Sequence, residues 1–179
     1  NIFEYESLHL ATSVRSFRTP DLAAFVKALL DVDTKGAKML YKRIKDKYPI
    51  VLTRNLNKAK EWVRSQCQGT TRYGLLASSG ALRLKPEGIF VKNEISVANW
   101  FLNGKDDVRS SYFLEDVVSE FDIQGLELDY SIVAWDADFR FDGEQWTYNR
   151  FVGNRWLNVA AEERKLYLKN AYRVLLTRA

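Results

Sequence analysis

The sequence predicts an α/β fold with a mostly parallel sheet, because segments of helical periodicity alternate with short apolar runs. That order is typical of layered α/β domains and not of a β-sandwich or a helical bundle. The 179 residues, 46% of them hydrophobic, can bury the core of one domain spanning residues 1–179. A single cysteine, Cys67, allows no internal disulfide, so packing and hydrogen bonds must hold that core.

Three helices are predicted in the first part of the chain. Residues 19–21 (Thr-Pro-Asp) begin the first, because threonine suits an N-cap, proline the first helical position and aspartate the first turn. A lysine-rich second helix is predicted for residues 36–48 and ends before Pro49. The apolar run at residues 50–53 (Ile-Val-Leu-Thr) predicts a buried strand, and residues 56–66 predict the third helix.

The rest of the chain continues the alternation. A buried strand is predicted at residues 73–77, and it leads into Ser78-Ser79-Gly80, small polar residues of the kind found where α/β proteins place ligands. Residues 136–158 are aromatic and acidic and predict a small β-hairpin insertion that turns at Asp142-Gly143. The other predicted elements are a helix at 96–102, strands at 116–118 and 132–135, and a helix at 160–178.

Two common motifs for binding phosphate or metal are absent from the sequence. Gly104-Lys105 is followed by Asp106, and no glycine stands at the required position before it, so the loop G-x-x-x-x-G-K-[ST] is missing. One cysteine and one histidine cannot build the usual structural zinc sites. The sequence therefore contains no P-loop of its own and predicts no metal site.

Acidic residues of the insertion, namely Asp136, Asp138, Asp142 and Glu144, offer oxygen ligands for a divalent cation. Their spacing does not match a calcium loop, and a solvated hairpin is the favoured interpretation. A metal-dependent nuclease using Asp136, Asp138 and Glu144 remains an alternative. The aromatic residues beside them could stack on nucleobases, although a local hydrophobic cluster that holds the insertion to the sheet is favoured.

The charge balance is mildly basic, with a net charge of +4 and a pI of about 9.1. Such a balance favours a polyanionic partner, but only slightly. Neither a membrane span nor a secretory signal is evident, so we expect a cytoplasmic protein with no membrane partner. The chain begins at Asn1 and its only methionine is Met39, so we expect a piece of a longer protein.

Three stretches resemble known motifs of superfamily one helicases, in the family's order. SEFDIQGLELDYSIVAW (119–135) resembles motif V, with its glycine-leucine-glutamate turn between two strands. NAYRVLLTRA (170–179) resembles motif VI, and LATSVRSFRTPDLAAFVKALLD (10–31) resembles motif IV more weakly. RYGLLASSGALRLKP (72–86) and the aromatic insertion resemble a bacterial family of Schlafen-type DNA/RNA helicase-like P-loop proteins.

The resemblance implies a RecA-like three-layer fold and the second RecA-like domain of an ATP-dependent helicase or translocase. The P-loop would lie on an upstream domain of the same protein, which is the expected partner together with single-stranded nucleic acid. ATP and Mg²⁺ would act in the full-length protein, whereas the isolated domain would bind no cofactor and would not hydrolyse ATP. A non-catalytic nucleic-acid or protein interaction module remains an alternative.

The resemblance assigns the nucleotide contacts residue by residue. Arg178 would be the motif VI arginine finger, and Arg15 would be the motif IV arginine that also reaches the γ-phosphate. Glu127 would accept hydrogen bonds from the ribose hydroxyls, and Gly125 would let the backbone approach the nucleotide. Gln124 stands where relatives have Gln or Lys.

The motif V stretch also contains residues implied in nucleic-acid contact, and both motif IV and motif V differ at one position from the family pattern. Ser119, Phe121 and Asp122 occupy the part of motif V that faces the nucleic-acid strand in relatives. Asp122 places a negative charge where a hydroxyl is expected, and Val14 stands where the family's motif IV has an aromatic that stacks on adenine. Arg18 is an alternative to Arg15 as the phosphate contact.

Overall fold

The computed structural model describes residues 20–179, and the chain divides into two compact units at Pro49 and Ile50. In the first unit, helices α1 (Pro20–Leu30) and α2 (Thr34–Ile44) pack against each other. Asp33 caps α2, because its carboxylate accepts a hydrogen bond from the Gly36 N–H at 2.9 Å. Helix α1 confirms the predicted first helix from Pro20 onward. Thr19 and Arg15 lie outside the described residues.

The second unit contains the remaining helices and two small sheets. The helices are α3 (Leu56–Gln66), α4 (Val97–Leu102) and α5 (Glu162–Leu176), with short 3-10 helices at Leu82–Glu87 and Ser111–Phe113. The first sheet contains β1 (Tyr73–Ala77), β2 (Val117–Val118) and β3 (Tyr130–Ala134). The second contains β4 (Phe139–Phe141), β5 (Trp146–Val152) and β6 (Arg155–Asn158).

The first sheet is wholly parallel, with strand order β2-β1-β3. Strand β1 lies in the centre and every one of its residues is buried, as its continuous apolar run predicts. Its residue Leu75 pairs with Val117 on one side and with Ile132 on the other. The predicted α/β class with a parallel sheet is confirmed, and the RecA-like three-layer arrangement stays a prediction.

Aromatic side chains hold the insertion to the rest of the second unit. Its strands β4, β5 and β6 form an antiparallel sheet, so the insertion has one strand more than the predicted hairpin. Phe139 is fully buried, and its ring centroid lies 4.4 Å from that of Trp146 and 5.0 Å from that of Tyr172. This packing agrees with the hydrophobic cluster favoured from the sequence.

Two predictions for the region before β1 are wrong. Residues 50–53 form no strand and are exposed, with Leu52 97% exposed, because no neighbouring strand pairs with them. Helix α2 ends at Ile44 and not at Tyr48, and the Lys47 N–H bonds the Ile44 carbonyl three residues back, as in the tight turns found at helix ends. An apolar run beside a proline is therefore not sufficient to specify a strand.

Among residues 20–179, no helix combines the length and the apolar character needed to cross a membrane.

The core of the second unit lies between β1 and its helices, where Val63 of α3 and Trp100 of α4 are almost completely buried. Gly74 permits this packing, because a Cβ atom there would lie 2.5 and 2.6 Å from two indole carbons of Trp100. The central strand thus needs a residue without a side chain opposite the indole.

Gly74→Ala is expected to lower the free energy of unfolding by about 1–3 kcal/mol, because the new methyl group overlaps the Trp100 ring. Chemical denaturation measures this cost. Trp100→Phe provides the matched background, since phenylalanine lacks the two indole carbons concerned, and the cost of Gly74→Ala should be smaller there. Equal costs in both backgrounds would contradict the overlap.

Candidate functional site

A cleft of about 450 Å³ opens at the carboxyl edge of the parallel sheet, which is the edge where β1 and β2 end. Its lining residues come from the ends of both strands and from the segment before α4: Ser79, Val91, Lys92, Asn93, Glu94, Ile95, Ser119, Phe121 and Asp122. The carboxyl ends of parallel strands are the usual ligand position in open α/β sheets. The small polar residues after β1 therefore border a cleft.

Three predicted site residues, Ser119, Phe121 and Asp122, come together at this cleft. The Asp122 carboxylate accepts hydrogen bonds from the Ser119 N–H at 2.8 Å and from the Ser119 hydroxyl at 2.6 Å. Ser119 and Asp122 thus stabilise the turn after β2, and the charge of Asp122 is engaged within the chain. Phe121 differs from both, because 56% of its surface is exposed.

Glu120 connects the segments after β1 and β2 with helix α5. Its carboxylate is buried and accepts hydrogen bonds from the Ser79 N–H at 2.8 Å and the Ser79 hydroxyl at 2.7 Å. The Tyr167 hydroxyl on α5 donates to the same carboxylate at 3.5 Å. The ends of β1 and β2 are therefore held together with α5 by one buried acid.

A second buried acid, Asp138, lies where β3 leads into the insertion. Its carboxylate accepts hydrogen bonds from the Tyr172 hydroxyl at 2.6 Å, the Ser78 hydroxyl at 2.7 Å and the Phe139 N–H at 3.0 Å. Burial raises the pKa of Asp138, while the hydrogen bonds from Tyr172 and Ser78 act in the opposite direction. Burial and the neighbouring Asp138 together raise the pKa of Tyr172 well above its ordinary value.

Of the three acids proposed for a nuclease, two accept hydrogen bonds within the chain and the third is exposed. Asp136 accepts a hydrogen bond from the Arg83 N–H at 3.0 Å, Asp138 is bonded as described above, and Glu144 is exposed in the turn of the insertion. Within residues 20–179, no group of three or more His, Cys, Asp or Glu side chains is arranged to hold a metal ion. The geometry gives the nuclease alternative no support.

The motif V turn and the end of the chain meet at the opposite, amino edge of the sheet, where β1 and β3 begin. The Leu128 N–H donates to the Arg178 carbonyl at 2.8 Å, so the backbone just past Glu127 contacts the backbone at Arg178. Gly125 has φ +84°, a backbone conformation that favours glycine. Asp129 then fixes the start of β3, because its carboxylate accepts from the Arg72 N–H at 2.8 Å.

Helix α5 connects the two edges. Tyr167 reaches Glu120 at the carboxyl edge, and the chain just past α5 reaches Leu128 at the amino edge. The two edges lie roughly 16 Å apart along the strands, at about 3.3 Å per residue of a five-residue strand. Ser119, Phe121 and Asp122 thus lie at the other edge from Leu128 and Arg178, and Gln124, Gly125 and Glu127 belong to the segment that runs between the two edges. Arg15 and Arg18 lie outside the described residues.

The family model described as Schlafen group 3, DNA/RNA helicase domain matches residues 2–179. The chain belongs to this Schlafen family. Its membership confirms the helicase-like family indicated by the motif V and motif VI stretches, and with it a helicase-related role that involves nucleic acid. No curated protein and no solved structure matches the chain.

The sequence analysis missed the residues that connect the elements of this Schlafen domain. Tyr167 and Tyr172 lie in the predicted helix at 160–178 among apolar residues and match no motif position used above, yet both donate hydrogen bonds to buried acids. Glu120 comes two residues after the apolar strand residues Val117 and Val118, and an acid just past the carboxyl end of a parallel strand is a usable signal. Lys92 and Asn93 carry no motif.

Asp138→Asn is expected to remove one source of pH dependence from the stability of this domain. The folded-state pKa of Asp138 lies above its ordinary value of 3.8, so its favourable contribution is complete below that pH and is lost as pH rises through the folded-state pKa. The free energy of unfolding of the wild type, relative to the variant, should therefore fall as pH rises. Denaturation at a series of pH values measures this difference.

Asp142→Asn is the matched control, with the opposite sign. Backbone hydrogen bonds from Gln145 and Glu144 lower the pKa of Asp142, so its contribution is present above the ordinary pKa and is lost as pH falls. The wild type should gain stability relative to this variant as pH rises through the acid range. A common slope for both variants would show that Asp138 does not titrate as described.

Proposed function

We propose that the chain is the second RecA-like domain of an ATP-dependent DNA/RNA helicase or translocase, in which Arg178 is the arginine finger. The observation that carries the proposal is the Leu128 to Arg178 hydrogen bond, because it brings the glycine-leucine-glutamate turn against the threonine-arginine end. These two segments are distant in sequence. The match to a DNA/RNA helicase domain over residues 2–179 supports the same assignment.

The amino edge is the side that faces ATP in this proposal. ATP would be held by the P-loop of an upstream domain in the same protein, with Mg²⁺ on its phosphates. Arg178 would stabilise the charge that develops on the γ-phosphate, since a guanidinium is always protonated and bonds phosphate oxygens in pairs. Exposed Glu127 would accept from the ribose hydroxyls, and Gly125 and Gln124 would border the nucleotide.

The carboxyl edge is the side that faces the nucleic acid. Its cleft combines a cation, Lys92, with an amide, Asn93, and an exposed ring, Phe121. Single-strand sites combine basic groups with aromatic rings in this way. Ser119 and Asp122 are hydrogen-bonded to each other and so hold the turn that carries Phe121. Their proposed role is to hold this turn and not to contact phosphate directly.

Arg178→Ala, made in the protein that includes its P-loop domain, is expected to lower ATP turnover by about 10³- to 10⁵-fold. Arg178→Lys should recover little of this loss, because an ammonium group cannot replace the paired contacts of a guanidinium. Steady-state phosphate release with single-stranded nucleic acid present measures both variants. Arg164→Ala, which removes an exposed cation from the same helix, is the matched control and should keep wild-type turnover.

Two outcomes would remove the arginine-finger assignment. One is unchanged turnover in Arg178→Ala with a melting temperature equal to that of the wild type. The other is an equal loss of turnover in Arg164→Ala, which would indicate a general effect of positive charge on α5. ATP hydrolysis by the chain alone, at the rate of the longer protein, would contradict the need for a second domain.

A further inference from the structure

Two exposed aromatic rings meet beside the cleft. The ring centroids of Phe121 and Tyr167 lie 6.1 Å apart with an angle of 31° between the ring planes. Tyr167 is 49% exposed and Phe121 56% exposed, so each ring shows a large face to solvent. Exposed rings that contact each other form an apolar surface suited to a flat ligand.

Polar contacts orient both rings: short hydrogen bonds hold the turn that carries Phe121, and a longer one links Tyr167 to a buried acid. Phe121 lies within the turn that Ser119 and Asp122 close with hydrogen bonds of 2.6 and 2.8 Å. The Tyr167 hydroxyl donates to Glu120 at 3.5 Å, and Glu120 is itself held by two hydrogen bonds from Ser79. A surface whose orientation is already set loses little conformational entropy on binding.

Polar groups of the cleft stand beside the Phe121 ring. Lys92 and Asn93 line the same cleft as Phe121 and Ser79. A lysine ammonium group attracts phosphate, and a side-chain amide can both donate to and accept from a base edge. One nucleotide offers a flat base and a phosphate together, which matches this combination of groups.

We propose that Phe121 and Tyr167 form a stacking platform for one base of a single strand, with the phosphate of that nucleotide on the Lys92 side of the cleft. The inference rests on the proposed function for its nucleic-acid partner, and it adds Tyr167 of α5 as a binding residue. Bases in a duplex have their faces covered by neighbouring bases, so the platform selects unpaired nucleotides. Stacking is tolerant of sequence, because every base has a π-face.

The test is binding of the chain, without ATP, to a single-stranded oligonucleotide that contains 2-aminopurine, whose fluorescence decreases on stacking. Tyr167→Ala is expected to weaken binding about 5- to 150-fold and to abolish the fluorescence decrease. Tyr167→Phe and Tyr167→Trp keep a ring and should bind nearly as well as the wild type. Tyr167→Leu, which is apolar without a ring, should resemble the alanine variant and serves if alanine disturbs α5.

Two control variants separate stacking from a general loss of apolar surface. Leu166→Ala changes the exposed neighbour of Tyr167 on the same helix, and Phe141→Ala removes an exposed ring from the insertion. Both should bind the oligonucleotide like the wild type. A paired duplex of the same sequence should bind the wild type more weakly than the single strand, and the difference should shrink in Tyr167→Ala.

The platform is overturned if Tyr167→Ala binds with wild-type affinity and fluorescence change. It is also overturned if Tyr167→Phe loses as much affinity as Tyr167→Ala, because the hydroxyl contact with Glu120, and not the ring, would then be responsible. These outcomes do not depend on ATP turnover. Failure of the arginine-finger assignment, measured by hydrolysis in Arg178→Ala, is therefore distinguishable from failure of the platform.

Discussion

The hydrogen bond between the Tyr172 hydroxyl and the Asp138 carboxylate is the contact on which the arrangement of the second unit depends. It is 2.6 Å long and buried, and it joins α5 to the point where β3 leads into the insertion. A buried carboxylate without partners would be very costly, so its three donors constrain where α5, β1 and β4 can lie. The rings of Trp135 and Phe139 pack against the Tyr172 ring, and both Tyr172 and Asp138 are almost completely buried.

Local signals predicted the fold well where they agreed with each other. Residues 73–77 and 56–66 have the predicted bounds, because a continuous apolar run suits a central strand and Asn55 caps the helix by accepting from the Lys58 N–H. Residues 50–53 had only an apolar run, and pairing with a neighbouring strand, which decides strand formation, is not written in a short segment. The third strand of the insertion was missed for the same reason, since its partner lies on β5.

The residues of the candidate site were likewise predictable from local sequence only in part. Ser119, Phe121 and Asp122 are neighbours in sequence, so their meeting at one turn follows from local chemistry. The contact of Leu128 with Arg178 crosses most of the insertion and α5, and only the resemblance to helicase motifs brought these segments together in advance. Tyr167 could not be recognised, because an aromatic residue at helical spacing usually indicates core packing, and its exposed face appears only in three dimensions.

The length of α5 has a mechanical consequence. Its C-cap, Thr177, lies about 15 Å along the axis from Tyr167, at a rise of about 1.5 Å per residue. Backbone hydrogen bonds close every turn of a helix, so the spacing between these two positions is fixed by helix geometry. Tyr167 contacts Phe121, which lines the cleft, while the Arg178 carbonyl bonds Leu128, the residue after the glycine-leucine-glutamate turn. α5 thus sets a fixed distance between a side chain at the carboxyl edge and a backbone group at the amino edge of the same sheet.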